Sequence, residues 1–436
     1  MLRHWSLLAC ATLLAGCGDI ARLPEAATQG PTPQLAPPVR SLLPTVNVAP
    51  VEGWPTDASP RPAPGWRVTP FARELAHPRW LHVLPNGDVL VAESNKPAPV
   101  GEQQEKKGFR AWVQKLLMKR AGAGVPSADR ITLLRDADGD GVAETRSIYL
   151  RDLHSPFGMA LVGSQLYVAN ADAVLRFPYA AGQLRVTAAP ARVTELPAGL
   201  NHHWTKNILA SRDHTRLYAT VGSNSNIGEN SLEAEDGRAA VWEIDLATGA
   251  KRLFAGGLRN PNGMGWEPTT GALWTVVNER DELGSDLVPD YLTSVKPGAF
   301  YGWPWSYWGA HVDERVRPPR PDMVVRAVTP DYALGSHVAP LGLAFGDGKL
   351  PAPFASGAFI GQHGSWNRKP MAGYNVVFVP FANGRPSGSP LPFLDGFLSP
   401  SGKAWGRPVG VALDARGGVL VADDVGNTVW RVAPAR

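Results

Sequence analysis

The chain has 436 residues, 43 Lys+Arg against 39 Asp+Glu for a formal net charge of +4, and a hydrophobic fraction of 44%. That apolar content excludes a disordered chain, and so slight and dispersed a charge excess argues against nucleic acid as a partner. With 46 Gly and 41 Pro the composition suits many short strands joined by tight turns, while 2 Cys exclude a disulfide scaffold or a Cys-rich metal framework.

Both cysteines fall in the first 17 residues. Arg3 and His4 open a short basic region, and Trp5 to Leu14 is an apolar run too short to span a bilayer. Leu14-Ala15-Gly16-Cys17 then reads as a lipobox, so residues 1–17 are expected to be a lipoprotein signal peptide ending at an acylated Cys17. The competing reading is an ordinary secretory signal with a chance cysteine. Gly18, not Asp, follows the cysteine. In a Gram-negative host that resembles lipoproteins sent on to the outer membrane, which places this chain in the bacterial envelope, on that membrane's periplasmic face.

Residues 18–64 hold eleven prolines and almost no periodic apolar pattern. Proline fixes φ and cannot donate to a ladder, so an extended tether with little structure is expected here.

Residues 65–436 are expected to form one catalytic domain, because from Trp66 onward one theme repeats: a short apolar strand, a polar or Gly turn, and a second strand rich in Val, Leu, Tyr or Trp. The copies are Leu81 to Ala92, Met159 to Ala169, Ile208 to Val221, Met264 to Val276, Leu343 to Gly361 and Val411 to Ala422. Asn86-Gly87 and Gly417-Gly418 supply hairpin-turn chemistry. Six such units predict an all-β, six-bladed β-propeller, one copy per four-stranded blade, and are too many for a single β-sandwich. Two insertions interrupt the pattern. Glu102 to Arg120 has apolar residues at helical spacing among lysines and arginines, which predicts a basic amphipathic helix. Asp281 to Pro297 reads as a loop at the mouth of the channel, ahead of the aromatic run Phe300 to Trp305.

Asp136-Ala137-Asp138-Gly139-Asp140-Gly141 sets carboxylates at alternate positions between glycines, with Glu144 close behind. Such a loop is able to wrap oxygen ligands around Ca²⁺. The twelfth position of an EF-hand loop is Ser147 and no flanking helices are apparent, so Asp136, Asp138 and Asp140 read equally as a solvated hairpin turn.

Polar groups beside blade strands mark the remaining candidates: Asn201-His202-His203-Trp204, Gly257 to Gly263, Asn278-Glu279-Arg280-Asp281, Gly364-Ser365-Trp366-Asn367-Arg368 and Gly406-Arg407-Pro408. Arginines entering from several blades imply an anionic ligand on the axis, since guanidinium offers forked donors to carboxylates or phosphates.

The runs LRNPNGMGW, TVVNERDELGSDLVPDYL, YGWPW, GSWNR and GRPVGVALDARGGVLVADDVGNTVWRV, in that order, resemble the soluble quinoprotein glucose/sorbosone dehydrogenase family. The sorbosone dehydrogenase-like branch is the nearest, and the likeness extends over about Trp66 to Ala433. It implies a six-bladed propeller binding pyrroloquinoline quinone (PQQ) and Ca²⁺ on the channel axis. It further implies that His203 is the general base and Arg259 the residue that polarises the quinone carbonyl, with Asn260 beside it. Arg368 and Arg407 would pair with the cofactor carboxylates, and Asn278 would lie next to the quinone. Asn367 stands where the glucose-oxidising branch has Lys, Trp405 where it has a further Arg, and His202 where other branches have Asp. The cofactor calcium would be held by the backbone carbonyls of Glu279 and Arg280. The resulting expectation is a lipid-anchored dehydrogenase oxidising an aldose, a sorbosone-like aldehyde or a related sugar. Electrons would pass to an external acceptor, a cytochrome or a quinone, since the chain has no C-x-x-C-H haem motif. A Ca²⁺-dependent lactonase and a non-catalytic glycan-binding propeller are the alternatives, and neither needs several converging arginines.

Overall fold

The computed structural model describes residues 18–40, 45–98, 122 and 124–435. Cys17 with the rest of the expected signal peptide, and the expected helix over 102–120, lie outside these residues. Among the described residues no helix is long and apolar enough to cross a membrane.

Six antiparallel sheets follow one another around a central channel. The first blade is Pro78–Val83, Val89–Glu93, Arg130–Arg135 and Thr145–Leu150; the second is Met159–Val162, Gln165–Ala169, Ala173–Pro178 and Ala191–Glu195. The third is Ile208–Ala210, Arg216–Val221, Ala240–Asp245 and Lys251–Gly256. The fourth is Asn260–Trp266, Leu273–Asn278, Pro289–Ser294 and Tyr332–Ser336, and the fifth Pro340–Phe345, Gly357–Gln362, Asn375–Ala382 and Leu391–Asp395. The sixth blade takes Pro408–Leu413, Val419–Asp423 and Thr428–Pro434 from the end of the chain. Its outermost strand is Trp66–Ala72, which pairs from Trp66↔Pro434 to Val429↔Ala72 and so ties the two ends of the domain together. The six repeats predicted from sequence are the first and second strands of the six blades.

These paired strands are largely apolar, and Val89–Glu93, Gly357–Gln362 and Val419–Asp423 are buried at every position. Around the channel, neighbouring innermost strands come too close for side chains at one recurring place. A Cβ on Gly342 would stand 2.2 Å from the Val409 carbonyl oxygen, and one on Gly158 would stand 2.4 Å from the Ile208 nitrogen. Both glycines sit in a Pro-x-Gly triplet that opens a blade, and the same triplet recurs at Pro261-Asn262-Gly263 and Pro408-Val409-Gly410. Glycine here sets the distance between blades.

Two expectations are corrected. Pro289–Ser294 is the third strand of the fourth blade, so the mouth loop ends before Pro289. The long insertion lies beyond it, where residues 295–331 carry the hairpin Ser306–Tyr307/His311–Val312 and the short helix Pro321–Val325. The Pro-rich segment is also no free tether. Gln29–Gly30 pairs with the outer strand of the fourth blade and Arg61–Pro62 with that of the fifth. Between them the described residues of the segment run over one end of the propeller as a strap. Proline denies it a ladder of its own, yet its carbonyls and remaining N–H groups find partners on blade edges that would otherwise stand unpaired.

Candidate active site

Each innermost strand begins, and each second strand finishes, at the same end of the channel. His77, Arg79, His203, Arg259, Asn260 and Arg407 therefore stand with Asn278, Glu279, Asp423 and Asp424 at one mouth, and the loops after Gln362 and Asn278 add Asn367, Arg368 and Asp281.

His203 precedes the third blade's first strand. Its Nδ1 lies 2.8 Å from the Ser223 carbonyl oxygen and 3.1 Å from Ser223 Oγ, which itself donates to the Ser225 carbonyl. With both neighbours accepting, the proton sits on Nδ1 and Nε2 keeps its lone pair. Enclosure by the channel wall, then the Arg259 charge and His202, hold the imidazole well below its ordinary pKa, so it is neutral near pH 7. Gly222 makes the arrangement possible: a Cβ there would stand 2.4 Å from Asn260 Oδ1 and 2.6 Å from His203 Cβ. His202 packs edge-on to His203, ring centroids 4.7 Å apart, and is itself exposed to the mouth.

Arg259 is buried. Nη1 donates to the Glu279 carbonyl at 2.5 Å, Nη2 to Asn226 Oδ1 at 3.0 Å and Asp281 Oδ2 at 2.9 Å, and Nε to the Asn226 carbonyl at 3.2 Å. Four of the five guanidinium N–H groups are thereby used, and one on Nη1 remains. Asp281 also accepts from Asn367 Nδ2 at 2.8 Å and faces His337 Nδ1 at 3.7 Å, so this carboxylate joins the fourth and fifth blades. Asn278 donates to the Pro340 carbonyl at 2.7 Å. Asn260 Oδ1 and Asn367 Oδ1 are buried without a hydrogen-bond partner.

Arg368 and Arg407 differ from Arg259 in having, among the described residues, no carboxylate in hydrogen-bond contact with the guanidinium. Arg368 donates to the carbonyls of Ser285 (3.1 Å) and Pro370 (2.8 Å). Arg407 reaches the Ala49 carbonyl (3.3 Å) and Tyr374 Oη (3.4 Å), and its buried Nε has no partner. The strap holds both. Asn47 donates from its backbone to the Trp366 carbonyl and from Nδ2 to the Arg368 carbonyl, each at 2.8 Å. Asp19 accepts from the Ser285 N–H at 2.6 Å, and Trp54 Nε1 meets Asp423 Oδ2 at 2.6 Å while Asp423 Oδ1 accepts the Arg407 N–H.

A second buried cluster shares this mouth. Asp424 Oδ2 lies 2.5 Å from Arg79 Nη1, 2.9 Å from His363 Nε2 and 3.4 Å from His77 Nε2. Burial alone would raise the Asp424 pKa; His363, His77 and Arg79 outweigh it and hold the carboxyl far below its usual range.

The structure thus gathers His202, His203, Arg259, Asn260, Asn278, Asn367, Arg368 and Arg407 at one end. Glu279 belongs there through its backbone, but its side chain turns to Arg280, whose guanidinium is fully buried against Glu279, Asp313 and the carbonyls of Pro304 and Ser306. Of the aromatic residues from Phe300 to Trp308, Tyr301, Trp303, Tyr307 and Trp308 are buried, and Phe300 and Trp305 are half-exposed. Asp136, Asp138, Asp140 and Glu144 bring ligand oxygens within 4.8 Å of one another, yet they sit in a turn at the opposite end, where Asp136 pairs with Arg416 at 2.8 Å. Asn226, His337 and the Asp424 cluster went unnamed in the sequence; Asp281 was named at the end of the Asn278-Glu279-Arg280-Asp281 run, without a role.

The family model described as TrAA12-like matches residues 60–291 and 324–435. An uncharacterized protein of Borreliella burgdorferi is 26% identical over 311 residues, which is 67% of this chain and 79% of that protein. A pyrroloquinoline quinone-dependent pyranose dehydrogenase of Coprinopsis cinerea is 23% identical over 371 residues and covers 73% of this chain, which spans 44% of its length. Among solved structures, the calcium structure of a Trichoderma reesei AA12 enzyme superposes with a TM-score of 0.69 at 19% identity, covering 90% of this chain and 99% of that one. With a matched model over more than half its length and a propeller of the same architecture, the chain belongs to the TrAA12-like family.

Proposed function

We propose that the protein is a PQQ-dependent sugar dehydrogenase. The observation that carries this reading is one channel mouth where a neutral His203 with a free Nε2 stands with three arginines from different blades. The residues fit the cofactor. Arg368 and Arg407 meet only neutral acceptors, Arg407 Nε is unpartnered, and Asn260 and Asn367 each keep an orphaned carbonyl oxygen. Buried donors and acceptors left in that state call for a polar, anionic ligand. PQQ, when bound, supplies the two-electron acceptor for the substrate's C–H hydride.

The chain's own contributions follow from the geometry. His203 Nε2 takes the proton of the sugar hydroxyl, and the Ser223 carbonyl holds the ring in the tautomer that permits it. The remaining N–H of Arg259 donates to an oxygen on which negative charge develops, and Asp281 keeps the guanidinium in place. Calcium would be held by the carbonyls of Glu279 and Arg280, of which the Glu279 oxygen accepts from Arg259. A lactonase would leave the arginine set without a purpose.

The finer assignments are a sorbosone-like aldehyde or aldose as substrate, an external cytochrome or quinone as acceptor, and attachment through lipid on Cys17 to the periplasmic face of the outer membrane. Adding PQQ and Ca²⁺ to purified apoprotein and scanning sugars with a dye acceptor tests the central claim. Sugar-dependent dye reduction that requires PQQ is expected; none with any sugar at saturating PQQ would overturn it.

A further inference from the structure

Among the described residues the strap carries three large exposed apolar side chains, Ile20 (60% exposed), Val39 (41%) and Val46 (36%). Single exposed aliphatics are ordinary, but these three surround one point. The Asp19 N–H donates to Thr45 Oγ1 at 2.8 Å, which sets Ile20 and Val46 on either side of that bond. Val39 donates to the Leu283 carbonyl at 2.9 Å. A Cβ on the neighbouring Gly284 would stand 3.0 Å from Asp19 Oδ2 and 3.1 Å from Val39 Cβ. The same point borders the candidate site, in the cavity lined by Thr45, Glu282, Gly284, Trp366 and Asn367. Asp19 follows Cys17 by two residues, a reach of about 7 Å even fully extended.

We infer that the rim formed by Ile20, Val39 and Val46 rests on a lipid bilayer, so that the channel mouth carrying His203 and Arg259 faces the membrane. The lipid expected on Cys17 leaves the protein beside this rim, and a short apolar contact next to an acyl chain is the second signal that stable attachment requires. Arg40 beside Val39 pairs with Glu314, and Glu282 beside Leu283 is exposed, so charge does not favour anionic headgroups, and the contact is apolar. The inference deepens the envelope reading above and rests on the Cys17 anchor.

The test uses the full acylated chain in vesicles of zwitterionic phosphatidylcholine. A thiol-reactive, polarity-sensitive dye is placed at Val46→Cys or, as control, at Ala415→Cys, an exposed turn position at the other end of the propeller. A blue shift and quenching by bilayer-embedded quencher at position 46, with neither at 415 and no dependence on salt, is expected. Protein that floats with the vesicles but shows no quenching at 46, or equal quenching at both positions, overturns the inference. Failure to float at all sinks the anchor instead. The rim is then judged from the soluble labelled protein mixed with vesicles, where an unshifted spectrum overturns it as well. The triple variant Ile20→Ser/Val39→Ser/Val46→Ser, which touches only exposed positions, should keep the melting temperature and dye reduction but lose the differential quenching of a label at Pro38→Cys, an exposed strap position beside Val39.

Discussion

Arg407→Ala separates cofactor affinity from stability. The Arg407 side chain is buried, its two hydrogen bonds of 3.3 and 3.4 Å are long, its Nε has no partner, and its guanidinium carbon stands 5.0 Å from the centre of the Tyr374 ring. A charge-assisted hydrogen bond from such a group to a carboxylate is worth about 1.5–3 kcal/mol. At 1.4 kcal/mol per tenfold, the variant should bind PQQ about 10- to 150-fold more weakly. Removing an under-satisfied buried cation relieves a desolvation cost of roughly 1–3 kcal/mol, against loss of a cation–π contact worth about 0.5–2 kcal/mol. The cofactor-free variant should therefore melt close to the parent. Arg280→Ala is the opposite case. That guanidinium is fully buried and donates to two carboxylates and two carbonyls, and its loss strands Glu279 and leaves Asp313 to Arg315 alone. A destabilisation of about 3–5 kcal/mol is expected. Following dye reduction against PQQ concentration, and the melting of each apoprotein, tests both. Unchanged PQQ affinity in Arg407→Ala, or an Arg280→Ala protein as stable as the parent, would refute the division between ligand-binding and structural arginines.

His203→Ala should keep PQQ binding and lower turnover by about 10²- to 10⁴-fold at saturating cofactor; wild-type turnover would remove His203 from the mechanism. Because its folded pKa lies well below 6.5, the neutral base persists in mildly acidic solution, so the acid limb of kcat/KM should fall below pH 6.5 and vanish in the variant. The same depression means that the unfolded chain binds the proton first, so His203 lowers stability as pH falls below 6.5, and apoprotein melting against pH should show less acid sensitivity in the variant. Asn47→Ala removes one hydrogen bond to the Arg368 carbonyl, about 1 kcal/mol, and should speed PQQ loss about fivefold while leaving the sugar KM unchanged; Asn47→Asp, which cannot donate, should behave alike. Chelation should lower the melting temperature of cofactor-free protein if the Asp136 turn binds calcium, by an amount that grows with calcium in the parent and disappears in Asp138→Asn/Asp140→Asn. No calcium dependence in the parent leaves a solvated turn.

The blades were legible because each first hairpin writes its own pattern, apolar strand, turn, apolar strand, within about 20 residues. The Pro-x-Gly triplets at Pro156, Pro261, Pro340 and Pro408 were equally local, and their meaning was not: the atom each glycine avoids belongs to the next blade. Arg259 and Arg407 could be named because they stand beside strand starts, at Asn260 and Pro408. Their partners could not. Asp281 reaches Asn367 across 86 residues, and Arg407 meets the strap across 358. The strap itself was misread because proline removes the periodicity that announces a strand, while leaving carbonyls able to accept from anything folded beneath them.

The two stretches outside the matched family model, before residue 60 and over 292–323, are the two that build the rim of this mouth. They meet each other at the Arg40–Glu314 ion pair of 2.8 Å and border a groove of about 610 Å³ beside the half-exposed Trp305. The groups placed in the chemistry, His203, Arg259, Asn260, Arg368 and Arg407, all lie on the matched portion. Their positions depend on the blades, which a change of rim leaves standing, since the strap adds only two-residue pairings at the blade edges. The strap is joined to the proposed cofactor arginines by Asn47 to Arg368 and Ala49 to Arg407, and the 292–323 stretch reaches the partners of Arg259 through Trp303 to the Asn226 carbonyl and Arg315 to the Asp281 carbonyl. A segment so attached can change what enters the mouth and how long a ligand stays, without moving the base.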